Sequence, residues 1–179
     1  MKRIILCTTI MSLATLGWAQ EEAYPKGFLL TGKIERVTDG DTARVKTGDK
    51  TIKVRFWGVD TPESRNDDQW PSQPYSKAAA QFTKALVEGR EVMVRMTGEF
   101  TYGRHVGEIF VDGRSVSREL VRAGLGHWYD AFARHDTDLR KLEETAKRER
   151  RGLWADPNVI DPGKWRNQMD HNCDQTDAC

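Results

Sequence analysis

The chain has 179 residues, with 28 Lys+Arg against 27 Asp+Glu, 31% charged residues, 38% apolar residues and three cysteines. That composition excludes collagenous, disulfide-knotted and fully disordered classes, and the length suits one domain able to bury a core without disulfides. A sustained apolar run occurs only within the first twenty residues, which excludes a polytopic membrane protein. The near-neutral charge also counts against a nucleic-acid binder, whose domain usually carries a basic excess.

Residues 1–20, MKRIILCTTIMSLATLGWAQ, have the layout of a secretory leader. Lys2 and Arg3 form a positive start, Ile4 to Leu16 the apolar stretch, and Gly17 and Ala19 the small residues before a cut after Ala19. The run is short for a membrane span, and Cys7 lies inside it rather than after a cleavage box. The expected organisation is a leader over 1–19, a linker over 20–27, one domain over 28–166 and a tail over 167–179. Cys173 and Cys179 fall in the tail. In an oxidising compartment they form either a small-loop disulfide or two unpaired thiols, and both readings stay open.

Along the mature chain, residues 28–37 alternate as a strand, Thr38-Asp39-Gly40-Asp41 is a turn, and 42–46 reads as the returning strand. After the turn at Thr47-Gly48-Asp49-Lys50, residues 51–59 (TIKVRFWGV) are the most strand-like run of the chain. Residues 60–74 hold three prolines and read as a long loop, of a kind that is usually functional. Helical spacing follows over 76–88, then strands over 91–96 and 106–111, and helices over 116–123 and 139–151. Beyond Trp154 the chain reads as mostly irregular. Five strands and three helices in this order make an α+β domain, and a five-stranded, partly open barrel is one architecture that accommodates it.

Two acidic groups stand at strand ends. Asp39-Gly40-Asp41-Thr42 closes a hairpin, and Asp60-Thr61-Pro62-Glu63 leaves the strongest strand. Such carboxylates suit a hard, oxygen-preferring cation such as Ca²⁺, although each group alone is equally an ordinary turn or loop. Arg55 lies within a strand and Arg104 just before one. An arginine fork suits bidentate contact with phosphate. Two arginines, two aspartates and one glutamate are a sensible kit for phosphodiester hydrolysis. His105, His127, His135 and His171 lack zinc-site spacing. The Arg148, Arg150, Arg151 cluster is interspersed with Glu143, Glu144 and Glu149, as on a solvated helix face.

The joint pattern is far more specific than its parts. VTDGDT (37–42), VRFWGVDTPE (54–63), YGR (102–104), LVRAGL (120–125) and GLWADP (152–157) occur in this order. Together they resemble the staphylococcal-nuclease-like, or thermonuclease, family over about residues 28–166. The resemblance implies a five-stranded OB-fold barrel with three helices, and a Ca²⁺-dependent nuclease that cuts DNA and RNA to 3′-phosphate products. It implies that Asp41 and Asp60 are carboxylate ligands of calcium and that Thr61 supplies a backbone carbonyl. By the same resemblance Arg55 and Arg104 hold the phosphate, and Glu63 acts either as general base or as the group orienting the attacking water.

One departure concerns the acidic residue that family members often carry shortly before Tyr-Gly-Arg. Here the stretch is Glu99-Phe100-Thr101-Tyr102, with the carboxylate displaced. Tyr102 matches and is a candidate contact for a terminal phosphate. Tyr129 and Phe132 are candidate base-stacking residues, and Trp128 is at least as well suited to the core. The expected partners are DNA and RNA, preferably single-stranded. The expected protein is a monomer, secreted or periplasmic, with no membrane attachment once the leader is removed. The rival reading is a catalytically silent nucleic-acid or protein binding module on the same barrel, and the intact Arg55, Glu63 and Arg104 set favours the enzyme. Without Lys2 and Arg3 the mature chain has 26 basic and 27 acidic residues. That balance predicts weak steering and little salt-dependent nonspecific affinity.

Overall fold

A computed structural model describes residues 23–64 and 71–175 of the chain. The leader expected over 1–19 and the pairing of Cys173 with Cys179 lie outside the described residues.

Five strands form the barrel. They are β1 (Leu29–Asp39), β2 (Thr42–Thr47), β3 (Lys50–Phe56), β5 (Glu91–Thr101) and β6 (Arg104–Val111). Antiparallel neighbours run β3-β2-β1-β5-β6, and a parallel pairing of β3 with β6 closes the circle, with Val54 opposite His105 and Phe56 opposite Gly107. Alternation explains the inside. Ile52, Val54 and Phe56 of β3, Ala43 and Val45 of β2, and Val92, Val94 and Met96 of β5 all point into the core and are buried. Arg55 and Lys53 have the opposite parity on β3, as Thr42 and Arg44 have on β2. The charged residues of these strands therefore belong to the outer face.

The run 51–59 is not one strand. It breaks at Trp57-Gly58, where Gly58 has φ +78, a backbone that a side chain would strain. The bend re-aims the chain, so that a short β4 (Val59–Asp60) pairs instead with β8 (His127–Trp128) in a separate two-stranded sheet. It thereby carries the DTPE segment away from the barrel wall. The remaining short strand, β7 (Arg114–Ser115), pairs with the end of β6.

Helices α1 (Ser76–Val87), α2 (Val116–Ala123) and α4 (Thr137–Arg148) occupy the three expected places. The last starts earlier than its apolar spacing suggests, because the Asp136 carboxylate caps it, accepting hydrogen bonds from the amides of Asp138 (3.1 Å) and Leu139 (2.9 Å). Two helices were not expected. A single turn, α3 (Asp130–Ala133), precedes α4, and the segment after Trp154, read as irregular, contains α5 (Pro162–Gln175). The physical cause of α5 lies at its start. Asp161 accepts from the Lys164 amide at 3.1 Å, and Pro162, with no amide hydrogen to leave unsatisfied, occupies the first helical position. Among the described residues no helix is long and apolar enough to cross a membrane.

A candidate phosphodiesterase cleft

The site is assembled from three chain reversals on one side of the barrel. At the β1–β2 turn, Gly40 lets the chain run hard against the DTPE segment. A Cβ there would lie 2.6 Å from Thr61 Oγ1 and 3.0 Å from the Ala79 side chain. This closeness brings Asp41, which is 5% exposed, against Thr61, whose amide and hydroxyl donate to Asp41 Oδ2 at 2.8 and 2.9 Å. The Asp41 carbonyl accepts from the Phe56 amide at 2.8 Å, and the Thr83 hydroxyl of α1 donates to the Gly40 carbonyl at 2.5 Å. The hairpin tip is thus held from β3, from α1 and from the DTPE segment.

Arg55 reaches out from β3 between the two aspartates. Its guanidinium pairs with Asp41 Oδ2 and, at 2.5 Å, with Asp60 Oδ1. Asp60 is 2% exposed, so two buried carboxylates share one nearly buried cation. Burial lowers the Arg55 pKa from its ordinary value; the attraction of Asp60 opposes that shift, and the neighbouring cations Arg104 and Arg166 add to it. Arg104 enters from the start of β6, which the β3–β6 pairing sets beside Arg55.

Glu63 is fixed through its backbone. Its amide donates to the Gln73 side-chain oxygen at 3.0 Å, its carbonyl accepts from the Gln73 amide at 2.9 Å, and the Gln73 side chain donates on to the Ile160 carbonyl at 2.7 Å. The 60–74 loop is therefore anchored at both ends and tied to the C-terminal segment. The Glu63 carboxyl pKa is raised, chiefly by burial; Arg166 opposes the rise, and the negative charges of Asp39 and Asp60 add to it. Asp39 is raised in the same way by burial.

Arg55, Glu63, Arg104, Asp41, Tyr102, Tyr129 and Phe132 line one open cleft of ≈ 510 Å³, together with Asp39 and Arg166. The remaining two candidates, Asp60 and Thr61, form its buried floor through their bonds to Arg55 and Asp41. Tyr129 and Phe132 flank the cleft, edge to face, with ring centroids 5.0 Å apart. Tyr102 sits 94% exposed on the β5–β6 turn. Trp128 turns inward instead, with its indole donating to the Ala133 carbonyl at 3.0 Å. Arg166 was not expected here. From α5 its guanidinium reaches Asp60 Oδ2 at 3.0 Å and pairs with Glu63. The visible signal was the Asp161-Pro162 helix start, which places Arg166 on the second turn of an ordered helix.

The donor set suits a hard divalent cation. Asp41 and Asp60 offer carboxylate oxygens close enough together for one guanidinium to bridge both, and such cations complete their shells with carbonyls and water. Among the described residues no three His, Cys, Asp or Glu groups converge as a metal cluster, so two side-chain carboxylates would be the core of such a site.

The sequence profile of the family described as staphylococcal nuclease homologue matches residues 53–156, which include the DTPE segment, Arg55 and Arg104. This chain belongs to the staphylococcal nuclease homologue family. It is 33% identical over 138 residues to an Escherichia coli protein named an uncharacterized endonuclease, covering 76% of this chain and 85% of that protein. A probable endonuclease of Clavispora lusitaniae is 34% identical over 171 residues, spanning 78% of this chain and 73% of the relative. A micrococcal nuclease of Shigella flexneri is 27% identical over 174 residues, spanning 92% and 91%. The nuclease homologue is thus a hydrolase acting on phosphodiester bonds, on an α+β, OB-like barrel.

Proposed function

We propose that this nuclease homologue is an exported, Ca²⁺-dependent, monomeric enzyme that cuts both DNA and RNA with little sequence specificity, prefers single strands, and leaves 3′-phosphate ends. The observation that carries the reading is the convergence of Arg55, Arg104 and Glu63 over the buried Asp41–Asp60 pair in one cleft flanked by Tyr129 and Phe132. Asp41 and Asp60, with the Thr61 carbonyl, would hold the cation, which when bound supplies Lewis-acid charge neutralisation.

The remaining chemistry falls to the chain's own residues. Arg55 and Arg104 present donors to the phosphate oxygens, where negative charge grows as water attacks phosphorus. The new phosphorus–oxygen bond forms as the bond to the 5′ oxygen breaks, and Glu63 takes the water proton or orients that water. Tyr129 and Phe132 stack bases through their π-faces, which any base offers. Tyr102, fully accessible on its turn, contacts the phosphate end.

The test is cleavage of single-stranded DNA and of RNA by the purified mature chain, with Ca²⁺ and with chelator, beside Arg104→Ala. We expect chelator-sensitive cleavage of both polymers, 3′-phosphate ends, and an Arg104→Ala rate about 10²–10³-fold lower, the usual cost of one transition-state donor. Cleavage that ignores the chelator would contradict the metal assignment.

A further inference from the structure

The charge on the barrel is segregated in a way the composition conceals. On the outer face of β1–β2–β3 the register places Lys33 opposite Lys46, Arg36 opposite Arg44, and Arg44 opposite Lys53. All five side chains are exposed, and none forms an ion pair with a described residue. Like charges directly opposite one another destabilise a sheet, so nothing in the folding of these strands favours the arrangement. Three carboxylates border the face: Glu91 of β5 stands opposite Lys33, Asp39 of β1 stands opposite Thr42, and Glu35 lies at the bulge. Glu35, at the bulge between Ile34 and Arg36, accepts from the Thr51 hydroxyl at 3.0 Å.

The basic residues of α4 and the turn after it contrast with this. Arg140 pairs with Glu144, Lys147 with Glu143, and Arg151 with Glu149. Lys141 and Arg150 stay unpaired among the described residues, but most cations of that surface have a carboxylate partner, and none of the five on the sheet face has one.

The face also leads into the cleft. The Thr42–Arg55 pair adjoins the Arg44–Lys53 pair with the same strand parity, two residues further along each strand, a step of about 7 Å. A strand whose scissile phosphate lies on Arg55 would meet Arg44 and Lys53 next, and then Arg36.

We infer that the outer face of β1–β2–β3, through Arg36, Arg44 and Lys53 with Lys33 and Lys46 beyond, is a second phosphate-binding surface that holds the single-stranded polynucleotide running out of the cleft. This rests on the nuclease reading of the cleft and assigns it a length dependence. Affinity and salt sensitivity come from this face, while the cleft supplies the chemistry.

The test compares a dinucleoside monophosphate, too short to reach the face, with a 12-nucleotide single strand. The wild type is set against Arg36→Gln/Arg44→Gln/Lys53→Gln. For the 12-mer we expect KM to rise about tenfold at low salt, and the slope of log affinity against log salt to shrink by about 2, three contacts at roughly 0.7 each. The constants for the dinucleotide stay at wild-type values, and Tm stays the same or rises as the facing cations are removed. Unchanged 12-mer kinetics and salt slope would overturn the inference, and so would equal losses on both substrates. If the wild type cleaves neither substrate, the nuclease reading itself fails. Binding of the 12-mer in chelator then still decides whether this face holds it: an unchanged salt slope in the variant overturns it, a reduced slope supports it.

Discussion

Arg166 bonds both Asp60 and Glu63, the carboxylates proposed to hold the cation and to act on the attacking water. Its own pKa is raised; burial acts against the rise, but the bonds and charges of those two carboxylates outweigh it. An arginine so placed neutralises the site from within the chain and competes with any divalent cation for the same oxygens. Arg166→Gln is therefore expected to tighten Ca²⁺ binding by about three- to tenfold in calorimetry, a gain of about 0.7–1.4 kcal/mol for a half-exposed competitor. Weaker binding in the variant would show that Arg166 supports the cation site instead. Among single residues, the sequence was informative where the groups that meet in the cleft are close along the chain. Asp41 lies in a turn motif, and Asp60, Thr61 and Glu63 lie within four residues of one another. It was silent where the partner is remote, since the Arg166–Glu63 contact spans 103 residues and Gln73 acts through two backbone bonds that no motif records.

Among the elements, the strands were legible because period-2 burial is strong in β1, β2, β3 and β5. Their ends were not, because ends depend on a single backbone angle, as at Gly58, or on one cap. Asp136 shows how much one cap can carry. It caps α4 and also accepts two bonds from Arg118 of α2, at 3.2 and 2.6 Å, joining the two helices. Burial works to raise its pKa, but the Arg118 and amide bonds outweigh burial, and the net shift is downward. A carboxyl lowered in the folded state contributes stability above its unfolded pKa, and that contribution disappears as pH falls through the folded value. Asp136→Ala should therefore cost about 1–2 kcal/mol at neutral pH, read by urea unfolding, and the gap to wild type should close in acid below the ordinary carboxylate range. A gap that widens in acid would contradict this.

For the whole molecule, near-neutral composition says little about binding, because counting charges discards their positions. The barrel sorts them. Asp39, Asp41, Asp60 and Glu63 gather around Arg55, Arg104 and Arg166, while five cations line the adjoining sheet face without ion-pair partners among the described residues. The phosphate-binding role inferred for that face predicts a salt dependence set by its cations, against the low value expected from net charge. Barrel closure through β3 and β6 is what makes the sorting chemical, since it sets Arg104 beside Arg55 above the two buried aspartates. The proposed role of Glu63 on the attacking water is read from the single-turnover rate at which wild type and Glu63→Gln cleave a short single-stranded DNA. Glu63→Gln is expected to lose about 10²–10⁴ in rate with substrate binding retained; cleavage by the variant at the wild-type rate would rule that role out.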